Sequence, residues 1–462
     1  MQPVNRLVLP STLFTALLGT SAAQAVDVHI TSETIGQGYE LIRSNGDVLR
    51  RSRLHQYLGL NLYDLADNGE NNVFVVSQFR FDTDFGITDA DTAAIPNLQN
   101  NQFSLQYLYV EARDLGWVDL RVGRQLVADD ADYTMFDGAL VTVHFPVYLG
   151  FDVLAGTEVK NAGYLESIST TQFELDGDGG YDDQTDEKTG IVIGASVYSD
   201  GLRDHHAKIG WRRIMTTPQT SPLGGEQSFV DMEKLFGSYH VRAHPKLHLA
   251  LSGAYDLVSS VISDGRFVVR VPDLADHVDL ELAYWFFTPT FEGSSIFNIF
   301  QTAPLNDVDF RVRYRVDERA SAYLGAYTRF FRQGPDGNDL ETDDLITDWG
   351  IRGGGKVLLG DTGRIGLDAF FQTGYGDITT LDLYGGYGFL DDTFDLSGRL
   401  TTVLFDDDVR DLLEGTSVGA EIALSYRIRD VAKFILRNEI NSNDIEKVQY
   451  RVYGLVDLSF WL

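Results

Sequence analysis

Between Val448 and Leu462 every second residue is apolar or glycine: Val448, Tyr450, Val452, Gly454, Val456, Leu458, Phe460 and Leu462. The residues between them, Gln449, Arg451, Tyr453, Leu455, Asp457, Ser459 and Trp461, are mixed and carry charge. A period of two is the mark of a strand, because successive side chains point to opposite faces of a sheet. The pattern recurs upstream. Leu54, Leu58, Leu60 and Leu62 oppose Tyr57, Gly59, Asn61 and Tyr63; Val73, Val75, Phe79 and Phe81 oppose Gln78, Arg80, Asp82 and Asp84. Val118, Leu120 and Val122 oppose Asp119, Arg121 and Gly123. Val308, Phe310, Val312, Tyr314 and Val316 oppose Asp309, Arg311, Arg313 and Arg315. Two more runs, 394–401 and 418–429, behave alike, whereas 102–113 is apolar on both faces. A water-soluble sandwich would show the same alternation in any one strand. Its recurrence along the chain points instead to a membrane barrel, whose strands alternate between lipid and lumen.

The connections give a second test. Tight ones fall near residues 114–116, 145–146, 200–206, 243–246, 317–320, 360–363, 390–393 and 429–432. Long polar ones fall at 86–101, 126–136, 160–188, 217–227, 288–306, 333–346 and 406–414. With the last strand ending in the periplasm, counting backwards puts short turns on the periplasmic side and long loops outside, provided 267–271 is a short strand. The expected fold is all-β: a single transmembrane antiparallel barrel of about 22 strands, starting near His29, with 18 or 20 left open because errors come in pairs. Only a closed sheet lets strands satisfy every backbone amide in lipid. Trp117, Tyr148, Trp285, Phe286, Phe287, Trp349 and Trp461, near strand ends, suit interfacial girdles.

Residues 1–25 read as a cleaved export signal: Arg6, an apolar run, then Ala23-Gln24-Ala25. The barrel domain is then 26–462, and the expected location is the Gram-negative outer membrane. No later stretch reaches the roughly 20 apolar residues of a spanning helix. The chain has no cysteine, which excludes disulfide scaffolds and Cys-metal sites. A formal net charge of −31 excludes nucleic acid as a partner.

The run Val118-Asp-Leu-Arg-Val-Gly-Arg-Gln125, followed by Phe136-Asp137-Gly138, resembles porin-like barrels of the alginate-export type. Residues 51–60 and 290–300 are similar to segments of large uncharacterised outer-membrane barrels of delta-proteobacteria. The resemblance implies a monomeric outer-membrane channel and transfers no substrate-binding residues.

The expected lumen lining comprises Arg80, Asp119, Arg121, Asp309, Arg311, Arg313, Arg315, Arg352, Lys356, Arg399, Glu421, Arg427, Arg437 and Arg451. One reading is an arginine ladder that selects anions. The other is a polar wall whose interleaved acids and bases pair across strands. Arg311, Arg313 and Arg315 stand out, with Asp309 the one acid on their face. The acidic segment 173–187 offers oxygens for Ca²⁺ but lacks EF-hand order, with Gly180 where the third ligand belongs, so a solvated loop is expected and no cofactor. No Gly-x-Ser-x-Gly elbow, HExxH or P-loop occurs. His205 and His206 read as a solvated turn, and His240, His244 and His248 as rim residues without a nucleophile. The expectation is a porin-like passive channel for small or anionic solutes, with export of an acidic polysaccharide one form of it, and not an enzyme. The alternative is a non-conducting barrel that displays loops for adhesion or envelope structure. Expected partners are the lipid bilayer, lipopolysaccharide, and the barrel-assembly machinery through residues 448–462. Loops 160–188 and 288–306 are the expected constrictions.

Overall fold

The computed structural model describes residues 26–43, 46–65, 72–86, 101–159, 190–199, 202, 204–216, 219–220, 226–227, 230–290, 304–332, 345–374, 376–390, 393–407, 414–444 and 446–462. The export-signal reading of 1–25, the acidic segment 173–187 and loop 160–188 lie outside them, as does all but the edges of loop 288–306.

Twenty-two strands form one antiparallel sheet in which each pairs with its sequence neighbours. The first strand, Asp27–Arg43, pairs with both Val48–Tyr63 and the last, Glu446–Trp461, so the sheet closes on itself. A closed sheet has no edge. At about 4.8 Å between strands and a tilt near 40°, a circular barrel of this order is roughly 44 Å across, backbone to backbone. The short strand expected at 267–271 is part of Val261–Ala275, longer than expected. A small hairpin, Gln219–Thr220 with Glu226–Gln227, stands apart from the barrel.

Register fixes the faces, because directly opposed residues share one. Leu458 faces Ser32, which faces Leu58, which faces Phe79, all on one side. Asp457, Glu33, Tyr57 and Arg80 line up on the other. The first side carries exposed Leu58, Leu60, Val122, Phe310, Leu381, Ile422 and Leu436 and faces lipid; the second carries most of the charges and most of the deeply buried groups and is concave. Near the short-turn rim the lipid side bears an aromatic row in which Phe389 faces Phe394, which faces Tyr426, which faces Phe434. Phe394 and Tyr426 rings lie 4.6 Å apart. Trp349 and Phe371 form an edge contact on the same side of the sheet. Three aromatics expected in the girdle belong elsewhere: Phe287 opposes Asp264 on the lumen side, and two tryptophans join it there. Trp285 opposes Arg266 and donates to Asp264 on the lumen side, and Trp461 opposes and stacks on His29, also on the lumen side, at 4.1 Å.

Loop lengths sort less cleanly than the alternation. The side opposite the termini carries long connections but also short ones, at 129–132, 257–260 and 374–375.

Candidate functional site

All fourteen residues of the expected lining lie on the concave side. Around the wall, Arg80 opposes Tyr57, Arg121 opposes Glu111, and Asp119 opposes Thr142. Arg311 opposes Glu281 and Arg313 opposes Asp279, while Arg315 and Lys356 both oppose Ser321. Arg399 opposes Glu421, Arg437 opposes Ala423, Arg427 opposes Lys433, and Arg451 opposes Glu439.

Most of these charges are paired. Arg80 and His55 both bind Asp82, at 2.8 and 2.5 Å. Arg121 and Arg113 share Glu111, and His144 meets Asp119. Arg352 reaches across Gly325 to Asp309. Arg399 grips Asp382 through two nitrogens, and Thr401 donates to the same carboxylate. Arg437 lies 3.4 Å from Glu421 and Arg451 lies 3.9 Å from Glu439.

The row Arg311, Arg313, Arg315 faces more acid than its own strand shows. Asp279 and Glu281 project from the neighbouring strand Val278–Phe287, but they turn elsewhere: Glu281 accepts from Arg270 at 2.6 Å, and Arg315 takes Asp273 and Asp279. Among the described residues Arg311, Arg313, Lys356 and Arg427 make no ion pair. Nε of Arg311 is buried with no hydrogen-bond partner. The first three sit on two strands, Leu305–Arg315 and Leu345–Leu359, with Ala320–Arg332 between them. Arg313 and Lys356 are exposed to the lumen.

These two faces, oily and charged, are those of an outer-membrane β-barrel. No protein-family model and no curated protein matches the chain. Solved structures do. The chain is similar to Pseudomonas aeruginosa OpdK, solved with vanillate, at 9% identity over 95% of this chain and 99% of that one, TM-score 0.46. It is similar to Acinetobacter baumannii OccAB4 at 8% identity, with 95% and 99% covered and TM-score 0.45. A BenF-like porin from Pseudomonas fluorescens Pf-5 gives 10% identity, 95% and 99% covered, TM-score 0.44. At such identity no lumen residue of those proteins transfers to this one.

The lumen also contains a feature absent from the sequence reading. The tip at residues 129–132, which joins Val118–Ala128 to Tyr133–Phe145, bends inward over the wall. Ala131 packs with Phe236 and Ala254, four and five strands beyond Tyr133–Phe145. Arg212, its side chain 1% exposed, donates to Asp129 Oδ2 at 2.6 Å, the Asp132 carbonyl at 3.0 Å and Thr134 Oγ1 at 2.9 Å. Lys234 donates to the Ala131 carbonyl at 3.2 Å. Phe136, Leu154, Val192, Ile214 and Met232, one from each of five consecutive strands, form a buried apolar cluster on the lumen side, with Val127 and Leu140 packed against it.

Residues 118–125 and 136–138 lie on the two strands of this hairpin. Gly123 (φ 129°) faces Gly138, which faces Gly156; a Cβ at Gly123 would sit 2.2 Å from the Leu108 carbonyl oxygen. Arg124 holds Asp137 through two nitrogens on the outer side, both at 2.8 Å. The one advance signal of the inward tip was apolar residues on both faces of 190–199, where Val192 belongs to the lumen side.

Proposed function

We propose that the protein is a passive outer-membrane channel for small anionic solutes. One observation carries the reading: on the inner face of a closed cylinder, Arg311, Arg313 and Lys356 stand without acid partners while Arg399, Arg437 and Arg451, further round the wall, are paired. The paired residues (Arg80, Asp119, Arg121, Asp309, Arg315, Arg352, Arg399, Glu421, Arg437 and Arg451) stiffen the wall and contribute little net field. The unpaired three supply an attractive potential for negative solutes. Arg427, opposite Lys433, adds positive charge toward the short-turn rim. The chain works as a monomer, in contact with lipid and lipopolysaccharide, and is recognised by the assembly machinery through its last strand. Export of an acidic polysaccharide is the finer form of this reading, supported by the resemblance of 118–125 and 136–138 to alginate-export barrels.

The test is reversal potential in a planar bilayer under a salt gradient. The wild-type barrel is expected to prefer anions. The variant Arg311→Gln, Arg313→Gln, Lys356→Gln should lose that preference while still conducting. Cation preference in the wild type would sink the anion reading, and a silent barrel would favour the display alternative.

A further inference from the structure

Four adjacent strands, His205–Thr216, Val230–His244, Leu247–Asp256 and Val261–Ala275, present imidazole and guanidinium groups to the lumen near their short-turn ends. Contrary to the sequence reading, His205 and His206 open a strand rather than sit in a turn. Three rows follow from the register. Arg242, His248 and Arg270 form the row nearest the rim; His206, His240, Ala250 and Val268 form the next; Lys208, Ser238, Ser252 and Arg266 form the third. Small residues at 250 and 252 leave a hollow between the long side chains, and a cavity of about 570 Å³ opens there. Its lining includes His206, His240, Arg242, His248, Arg266 and Arg270.

The charges in it are unequally compensated. Arg242 lies 3.7 Å from Asp204, and Arg270 is paired with Glu281. Among the described residues the side chains of His206, His240, His248 and Arg266 make no ion pair or hydrogen bond. No group of three His or acidic side chains there converges on a metal position. The donors therefore suit an anion. They also come in two sets, at Arg266 with Ser252 and at His248 with Arg242 and Arg270. Four residues separate these sets along each strand, about 13 Å. Between them the floor is Ala250 and buried Val268, which is apolar. Inorganic phosphate would fill only one end and leave that floor wet.

We infer that this cavity binds elongated dicarboxylates, one carboxylate at Arg266 and Ser252, the other at His248, Arg242 and Arg270, with the methylene chain over Ala250 and Val268. Guanidinium groups suit carboxylates because they donate in a fixed fork. The inference names a solute class for the channel proposed above and rests on that reading only for how the solute arrives.

Calorimetry on the full detergent-folded barrel tests it, with succinate and sebacate titrated at equal ionic strength and hexanoate as the single-carboxylate control. Sebacate should bind at least tenfold more tightly than either. Arg266→Gln and Arg270→Gln should each weaken sebacate about tenfold or more, and Arg451→Gln, on another part of the wall, should not. Equal affinity for the three acids, or unchanged sebacate affinity in both arginine variants, overturns the proposal. Heat-modifiable gel mobility verifies that each variant is folded. Conductance separates the two readings: heat without current keeps this site and removes the channel, whereas current without heat does the reverse.

Discussion

Replacing Arg212 by alanine should release the inward tip. Arg212 and Asp129 are 1% and 8% exposed, and the guanidinium also holds the Asp132 carbonyl and the Thr134 hydroxyl. Stranding one partner of a buried pair costs about 3–5 kcal/mol. Lys208, at 3.8 Å from Asp129, offsets part of this. The tip can escape the rest by swinging out and rehydrating Asp129, so the penalty falls on the seated state and not on the barrel wall. At about 1.4 kcal/mol per tenfold, the seated-to-released ratio should fall on the order of a hundredfold to a few thousandfold. Against that, burying the Ala131 methyl against Phe236 and Ala254 contributes only about 0.8 kcal/mol. Single-channel recording is the assay. Arg212→Ala should show larger and noisier current steps than the wild type, and adding Asp129→Ala should partly restore the quiet level, since no charge is then stranded. An Arg212→Ala barrel that is folded yet indistinguishable from wild type in step size and noise would refute the reasoning.

Gly123→Ala should cut the yield of folded barrel, because a side chain at φ 129° is strained by about 1–3 kcal/mol and its Cβ would collide with the Leu108 carbonyl; refolding into vesicles followed by gel shift measures it. Ile422→Arg, on the lipid side and 60% exposed, should cost about 2–4 kcal/mol if it lies near the midplane, while Ser425→Arg on the lumen side should cost far less; urea titrations in bilayers compare them. Trp461→Ala removes the stack on His29 and the contact with Tyr63, so about 0.5–1.5 kcal/mol should vanish from the closure between first and last strands, read as a lower unfolding midpoint.

The strands were legible because lipid and water enforce a strict period of two. Val448 to Phe460 fall on the lipid side as the alternation requires, and Arg311, Arg313 and Arg315 share the concave side. Two things were not legible. Pairing partners were hidden, because a strand's own sequence does not reveal which acids its neighbour offers; hence Asp279 and Glu281 beside the arginine row came as new information. The inward tip was hidden too, because residues 129–132 look like any polar connection, and their seat, Arg212, lies some eighty residues downstream. Trp285 and Trp461 misled because an aromatic near a strand end fits either face, and only the count of residues to the next neighbour decides.

The first and last strands also lock through the reciprocal bonds Val28 N–H to the Leu462 carbonyl and Leu462 N–H to the Val28 carbonyl. Among the described residues that join is the backbone hydrogen-bonded contact of longest sequence separation. Until it forms, the sheet has two open edges able to pair with other chains. The same neighbourliness of Val28 and Leu462 means that joining them by a brief linker and reopening the ring at another short turn should yield a rearranged chain with the same cylinder.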